Sequence, residues 1–203
     1  MNPLVTHTGT AVPLRRSNVD TDQIYPAQLI LSAPVSSTGH ADALMAEWRK
    51  DPDFVLNQPR YRGASVLVAG IDFGTGSSRE WAVWALADYG FRVILAPRFG
   101  DIFRGNAAEN GLVAAQVAET DVEKLWADIE AEPATPLTVD LETCTVRRGR
   151  ATYSFDYPDH LRSRVMRGLD EIAATLHYEG DIRAYEARRR PAMPEVHRAE
   201  TVL

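Results

Sequence analysis

The chain has 203 residues, of which 45% are apolar and 25% charged, with a net charge of −6 and a single cysteine. Such a length and balance predict one soluble globular domain with a sizeable core. The acidic charge, with no basic block before the C-terminal end, argues against nucleic acid as a principal partner. One cysteine excludes a disulfide framework and fits a reducing cytoplasm. No apolar run approaches membrane-spanning length, and residues 1–20 lack a signal-peptide pattern.

In chain order, residues 4–14 read as a short strand region. Asn18-Val19-Asp20-Thr21-Asp22-Gln23-Ile24-Tyr25-Pro26 follows. Its acids at i and i+2 could close a loop as an Asx-turn cluster, or they could charge a site. Residues 27–64 are the least regular part. The small, polar stretch from Ser32 to His40 predicts a surface loop, and Asp42 to Arg49 has helical spacing, with Leu44, Met45 and Trp48 on one face. Pro52, Pro59 and Gly63 then break the chain. Val66 to Ala69 is a continuous apolar run, the pattern of a strand buried on both faces. A glycine-rich turn, Gly70 to Gly76, leads to helical spacing at Val83, Trp84, Leu86 and Ala87, and a second apolar strand covers Val93 to Ala96. Strand, turn, helix and strand make a βαβ unit, which binds ligands at the carboxyl end of its strands.

Beyond Pro97, two arginines, Arg98 and Arg104, lie in a loop and a short helix, as solvated side chains or as an anion site. Residues 120–131 predict an amphipathic helix with Thr120 or Asp121 as N-cap. Three alternating runs, Leu137–Leu141, Thr143–Val146 and Ala151–Phe155, predict antiparallel strands. Helices are predicted over His160–Ile172 and Ile182–Arg190. The single domain is expected to span residues 1–190, followed by a disordered tail over 191–203.

The turn Gly74-Thr75-Gly76-Ser77-Ser78-Arg79-Glu80 carries the clearest chemistry. Glycines let a ligand approach main-chain N–H groups, a helix N-terminus favours an anion, and the arginine fork matches a carboxylate. Ser77-x-x-Glu80 equally fits a capping box, which serves only helix stability. Cys144 alone cannot hold a zinc ion or an iron–sulfur cluster, and the five histidines have no ligand-like spacing. A metal is therefore expected on another chain, with none bound here.

Taken with Asp20-Thr21-Asp22-x-Ile24-x-Pro26, this turn resembles the small-subunit family of 3-isopropylmalate dehydratase, the leucine-pathway isomerase of the aconitase superfamily. The resemblance runs through Phe99-Gly100-Asp101-Ile102-Phe103 and Gly168-Leu169-Asp170-Glu171-Ile172 and covers roughly residues 4–190. It implies an α/β swivelling domain of the β/β/α type, a mixed sheet with flanking helices, like the last domain of aconitase. It implies a large-subunit partner bearing a [4Fe-4S] cluster, with this chain active only in the complex. The implied reaction moves a hydroxyl between adjacent carbons of a malate-type acid, interconverting 2-isopropylmalate and 3-isopropylmalate.

Carried over residue by residue, Ser77 matches the family's serine base, Arg79 its carboxylate clamp and Asp22 an active-site acid. Gly74, Thr75, Gly76, Ser78 and Asp20 would line the substrate site, with a structural share for Asp20. The loop carrying Leu29, Ile30, Leu31, Ser32, Ser37 and Thr38 would set specificity. Two departures stand out. Trp81 replaces the family's usual His, and the loop lacks the family's Lys or Arg, which favours an apolar substrate tail over an anionic one. The alternatives are a divergent paralogue acting on another alkylmalate or a hydroxy di- or tricarboxylate, and a non-catalytic anion- or nucleotide-binding module. The last lacks a P-loop lysine.

Overall fold

The computed structural model describes residues 2–31, 38–77 and 79–189. Its strands are β1 (Thr6–Gly9), β2 (Ala11–Leu14), β3 (Val19–Asp20), β4 (Val66–Ala69), β5 (Phe73–Thr75), β6 (Val93–Ala96), β7 (Val113–Val117), β8 (Leu137–Asp140), β9 (Thr145–Arg148) and β10 (Ala151–Asp156). Its helices are α1 (Thr21–Ile24), α2 (Ala27–Ile30), α3 (Glu80–Tyr89), α4 (Asp101–Glu109), α5 (Glu119–Ala131), α6 (Asp159–Arg167), α7 (Glu171–Leu176) and α8 (Glu179–Arg188). The chain divides into two compact units, Met1–Leu169 and Asp170–Leu203.

The first unit is built on one mixed sheet in the order β1-β8-β9-β10-β7-β6-β4-β2. In its parallel half, β2, β4 and β6 are buried at every residue, because α5 packs on β2, β4 and β6 while α4 packs on β7 and α3. Burial on both faces is why these strands are continuous apolar runs rather than alternating ones. The antiparallel half alternates instead: β8 reads buried, half-buried, buried, half-buried, as expected of a sheet with one wet face. β10 joins the halves, pairing with β9 over Ala151–Ser154 and with β7 at Phe155 and Asp156. The second unit consists, in its described part, of α7 and α8. Asp170 caps α7 by accepting from the Ala173 N–H at 2.7 Å.

Three expectations need correction. Residues 42–49 form no α-helix; two 3₁₀ turns, Ala41–Ala43 and Trp48–Lys50, flank Met45, which sits at φ +47°. A left-handed residue cannot continue a right-handed helix, yet Leu44 and Met45 are still fully buried, as their spacing implied. The helix from residue 160 stops at Arg167, because Gly168 at φ +66° ends it with a left-handed cap. The N-cap of α5 is Ala118 rather than Thr120 or Asp121, and it makes no side-chain cap.

The far end of α5 is held in another way. Arg148 of β9, buried at 5% exposure, donates to the carbonyls of Asp128 (3.0 Å), Glu132 (2.6 Å) and Thr135. The Asp128 and Glu132 carbonyls also take the main-chain N–H groups of Glu132 and Thr135, so Arg148 is their second donor and ties both to the Thr135 carbonyl. Arg148→Met keeps the packing stem and removes all three bonds. Hydrogen bonds from a charged donor are worth about 1.5–3 kcal/mol each. The expected result is a melting temperature about 5–10 °C lower by calorimetry, and an unchanged melting temperature would remove this role.

Candidate active site

The two sequence motifs meet through a short two-stranded parallel pair outside the main sheet. β3 lies beside β5, with Val19 opposite Phe73 and Asp20 opposite Thr75. The strands deliver α1 and the glycine-rich turn to one place. Asp20 begins α1 with a full capping box: its carboxylate accepts from the Gln23 N–H at 2.8 Å, and the Gln23 side chain takes the Asp20 N–H at 2.9 Å. The box therefore sits at Asp20–Gln23. The alternative at Ser77–Glu80 is not formed, because α3 starts only at Glu80, with Arg79 as an N-cap whose side chain does not cap the helix. Ser77 accordingly lies three residues upstream of the helix rather than on its first turn.

Two contacts among the described residues join the motifs. Thr21 Oγ1, on a residue only 2% exposed, donates to the main-chain carbonyl of Ser77 at 2.9 Å. The Arg79 guanidinium donates to the Asp22 carboxylate, 57 residues away in sequence. The Arg79 side chain is 17% exposed and that of Asp22 54%, while Ser77 and Gly76 are exposed. The cation is therefore largely covered while its carboxylate partner is wetter, and Ser77, two residues before it in the chain, is exposed. The site is an open half rather than a closed pocket.

Glycine is required at two of these positions. Gly74 has φ +73°, and a Cβ there would lie 2.3 Å from Phe103 Cγ; Gly76 has φ +90° with its face toward Asp20 and Thr21. Phe103 belongs to an aromatic floor with Phe73 (5.5 Å, edge-on) and Phe99 (6.3 Å, stacked). That floor explains why the Phe-Gly-x-x-Phe spacing after β6 matters to the turn above it. Asp72, just before β5, is paired with both arms of Arg98, and that hydrogen bonding holds its carboxyl below the usual range. Arg104 is committed too, donating to the Asp156 carbonyl at 2.7 Å and lying 5.6 Å from the Tyr157 ring centre. Both arginines thus have partners within the framework.

Of the loop residues, Leu29 and Ile30 lie half-buried on α2, Leu31 is 97% exposed and Thr38 is exposed. Ser32, Ser37 and Ser78 lie outside the described residues. Trp81 packs edge-on against Trp84 at 5.8 Å on α3. Sequence reasoning misses Thr21 and Gln23, although the Asp-x-x-Gln spacing is a readable capping signature. Among the described residues no three His, Cys, Asp or Glu side chains are grouped as a metal site requires, and no helix is long and apolar enough to cross a membrane.

This geometry coincides with a family-wide match. A family model described as the aconitase C-terminal domain matches residues 1–120 and one described as LeuD_N matches 123–156. A third, matching residues 171–196, is described as the C-terminal domain of the 3-isopropylmalate dehydratase small subunit. The 3-isopropylmalate dehydratase small subunit of Acidothermus cellulolyticus is 59% identical over 199 residues, 98% of this chain and all of that relative. The chain belongs to the 3-isopropylmalate dehydratase small-subunit family. The same-named protein of Corynebacterium kroppenstedtii is 58% identical over 96% of this chain and 98% of its own length. The crystal structure of 3-isopropylmalate dehydratase from Methanocaldococcus jannaschii superposes with a TM-score of 0.63 at 25% identity, over 89% of this chain and 99% of that one. The swivelling α/β domain with its mixed sheet is therefore the family's fold, and a small subunit of this family has a large-subunit partner.

Proposed function

We propose that this chain is the lid subunit of a cytoplasmic hydro-lyase that interconverts 2-isopropylmalate and 3-isopropylmalate for leucine biosynthesis. The observation that carries the reading is the joining of the Asp20-Thr21-Asp22 turn to the Ser77–Arg79 turn on an open face. Dehydration of a malate-type acid takes a proton from the carbon beside a carboxylate and hydroxide from its neighbour. Rehydration of the unsaturated diacid returns them to exchanged carbons. Ser77 takes and returns the carbon-bound proton. A serine hydroxyl is too weak a base unaided, so positive charge and N–H donors around the turn must stabilise its anion. Arg79, oriented by Asp22, grips the carboxylate whose neighbouring proton leaves, and the main chain from Gly74 to Ser77 borders that end of the substrate.

The residues of this chain do not fit a [4Fe-4S] cluster. The reading places the cluster on the large subunit, where it would supply the Lewis acid for hydroxide departure. Leu29, Ile30 and Leu31, with Leu31 almost wholly in solvent, suit an apolar substituent on the malate better than a third carboxylate. The test mixes the chain with its large subunit and follows absorbance of the unsaturated diacid. Neither chain alone should turn over, and the mixture should prefer isopropylmalate over shorter alkylmalates and citrate. A large subunit equally active without this chain would overturn the reading, and a preference for another alkylmalate would replace the substrate. Calorimetry with nucleotides, expected to show no binding, covers the non-catalytic alternative.

A further inference from the structure

The clamp has a second attachment that the reaction scheme does not use. α1 is a single turn of four residues, too short to hold its own direction. At one end it carries Asp22, paired to Arg79; at the other it stops at Tyr25, ahead of Pro26. Tyr25 is 2% exposed, and its hydroxyl shares a 3.2 Å hydrogen bond with Nδ1 of His40, which is 1% exposed. The His40 main-chain N–H donates to the Asp88 carboxylate of α3 at 2.8 Å. The imidazole also lies between two rings, Tyr25 at 5.7 Å and Trp84 of α3 at 5.5 Å. Arg79 is the N-cap of that same α3. The two elements that present the Arg79–Asp22 pair pack on each other and are bonded at two places, through the pair itself and, by way of Tyr25 and Asp88, through His40.

We propose that His40 is a positioning residue for the carboxylate clamp: by bridging Tyr25 to α3 it fixes the angle at which α1 offers Asp22 to Arg79. Without the bridge, α1 keeps the Asp20–Gln23 box and the Ile24 carbonyl bond from Met45 N–H. It loses the tie that sets its roll against α3. Asp22 then follows Arg79 less closely, and the guanidinium fork is no longer preset for substrate. A preset fork lowers the ordering cost of binding, so its loss should appear in substrate affinity before turnover. The proposal rests on the reading of Arg79 as the clamp.

The test uses the reconstituted complex with His40→Phe, which keeps ring contacts with Tyr25 and Trp84 and the main-chain bond to Asp88 but removes the imidazole's hydrogen bonding, that to Tyr25 included. KM for isopropylmalate should rise about fivefold to tenfold, the worth of one neutral hydrogen bond, with kcat changed less than about threefold. Tyr25→Phe should match it, and the double variant should be no worse than either single one. His40→Asn, whose amide can reach the Nδ1 position, should restore most of the affinity. In the small subunit, amide exchange should show weaker protection at Tyr25 N–H, which bonds to the Thr21 carbonyl, with β4 and β6 unaffected. Unchanged KM in an active complex, or a fall in melting temperature and active fraction with KM intact, would overturn the proposal. A wild-type complex that fails to turn over would sink the functional reading instead, and His40 would then be judged on the exchange, where unchanged protection refutes it.

Discussion

Ser77→Ala in the reconstituted complex should lower kcat by about a thousandfold or more, within the range that a positioned general base contributes. KM should change little, because the hydroxyl acts on a carbon-bound proton and is not the carboxylate grip. The substitution is a clean probe for a structural reason. Thr21 bonds the carbonyl of Ser77 rather than its hydroxyl, so alanine keeps the tie between the two turns. Ser77 is also exposed, so no cavity is created. The melting temperature should therefore stay within about 1 °C, the scatter expected of an exposed substitution. Single-turnover measurement with loaded complex decides the matter: full turnover in Ser77→Ala would remove the serine from the mechanism.

Arg79→Ala should have the second largest effect, about a hundredfold in kcat/KM, from two charge-assisted bonds worth about 1.5 kcal/mol each. Here the loss should be shared between KM and kcat, since the carboxylate gains charge as the neighbouring carbon gives up its proton. Arg79→Lys should recover no more than about a tenth of that loss. One ammonium cannot reach back to Asp22 and forward to substrate in the way a planar fork does. Asp22→Asn then separates orientation from charge. If the Asp22 carboxylate only aims the guanidinium, the amide should cost less than the loss of Arg79. Equal activity of the Arg79→Ala and wild-type complexes would sink the clamp.

How much of this is legible without coordinates varies with the range of the forces involved. The parallel strands at Val66–Ala69 and Val93–Ala96 are readable because burial on both faces leaves an uninterrupted apolar run. The antiparallel strands over 137–156 are readable from alternation for the complementary reason. Residues 41–50 mislead because Leu44, Met45 and Trp48 have the spacing of a helix face, while the main chain turns left-handed at Met45 to bury Leu44 and Met45 without a helix. The capping box forms at the other turn. Ser77-x-x-Glu80 has the letters, but the backbone enters α3 three residues later, and Asp20–Gln23 has both letters and geometry.

The sequence by itself determined the chemistry available to this protein: one serine, one arginine and an acid, framed by glycines, with no set of thiolates to carry a metal. Those properties are local, written in residue type and spacing. Only the tertiary structure decided how they meet. A pair of strands two and three residues long brings Asp22 to Arg79 across 57 positions, and Thr21 to the Ser77 carbonyl across 56. Strands so short have no periodicity to read, and a salt bridge across such a separation leaves no mark in either segment. Their pairing is set by packing of the sheet and of the Phe73–Phe99–Phe103 floor, an energy summed over residues far apart in the chain. The same holds for His40, an unremarkable histidine in the sequence that folding buries between α1 and α3.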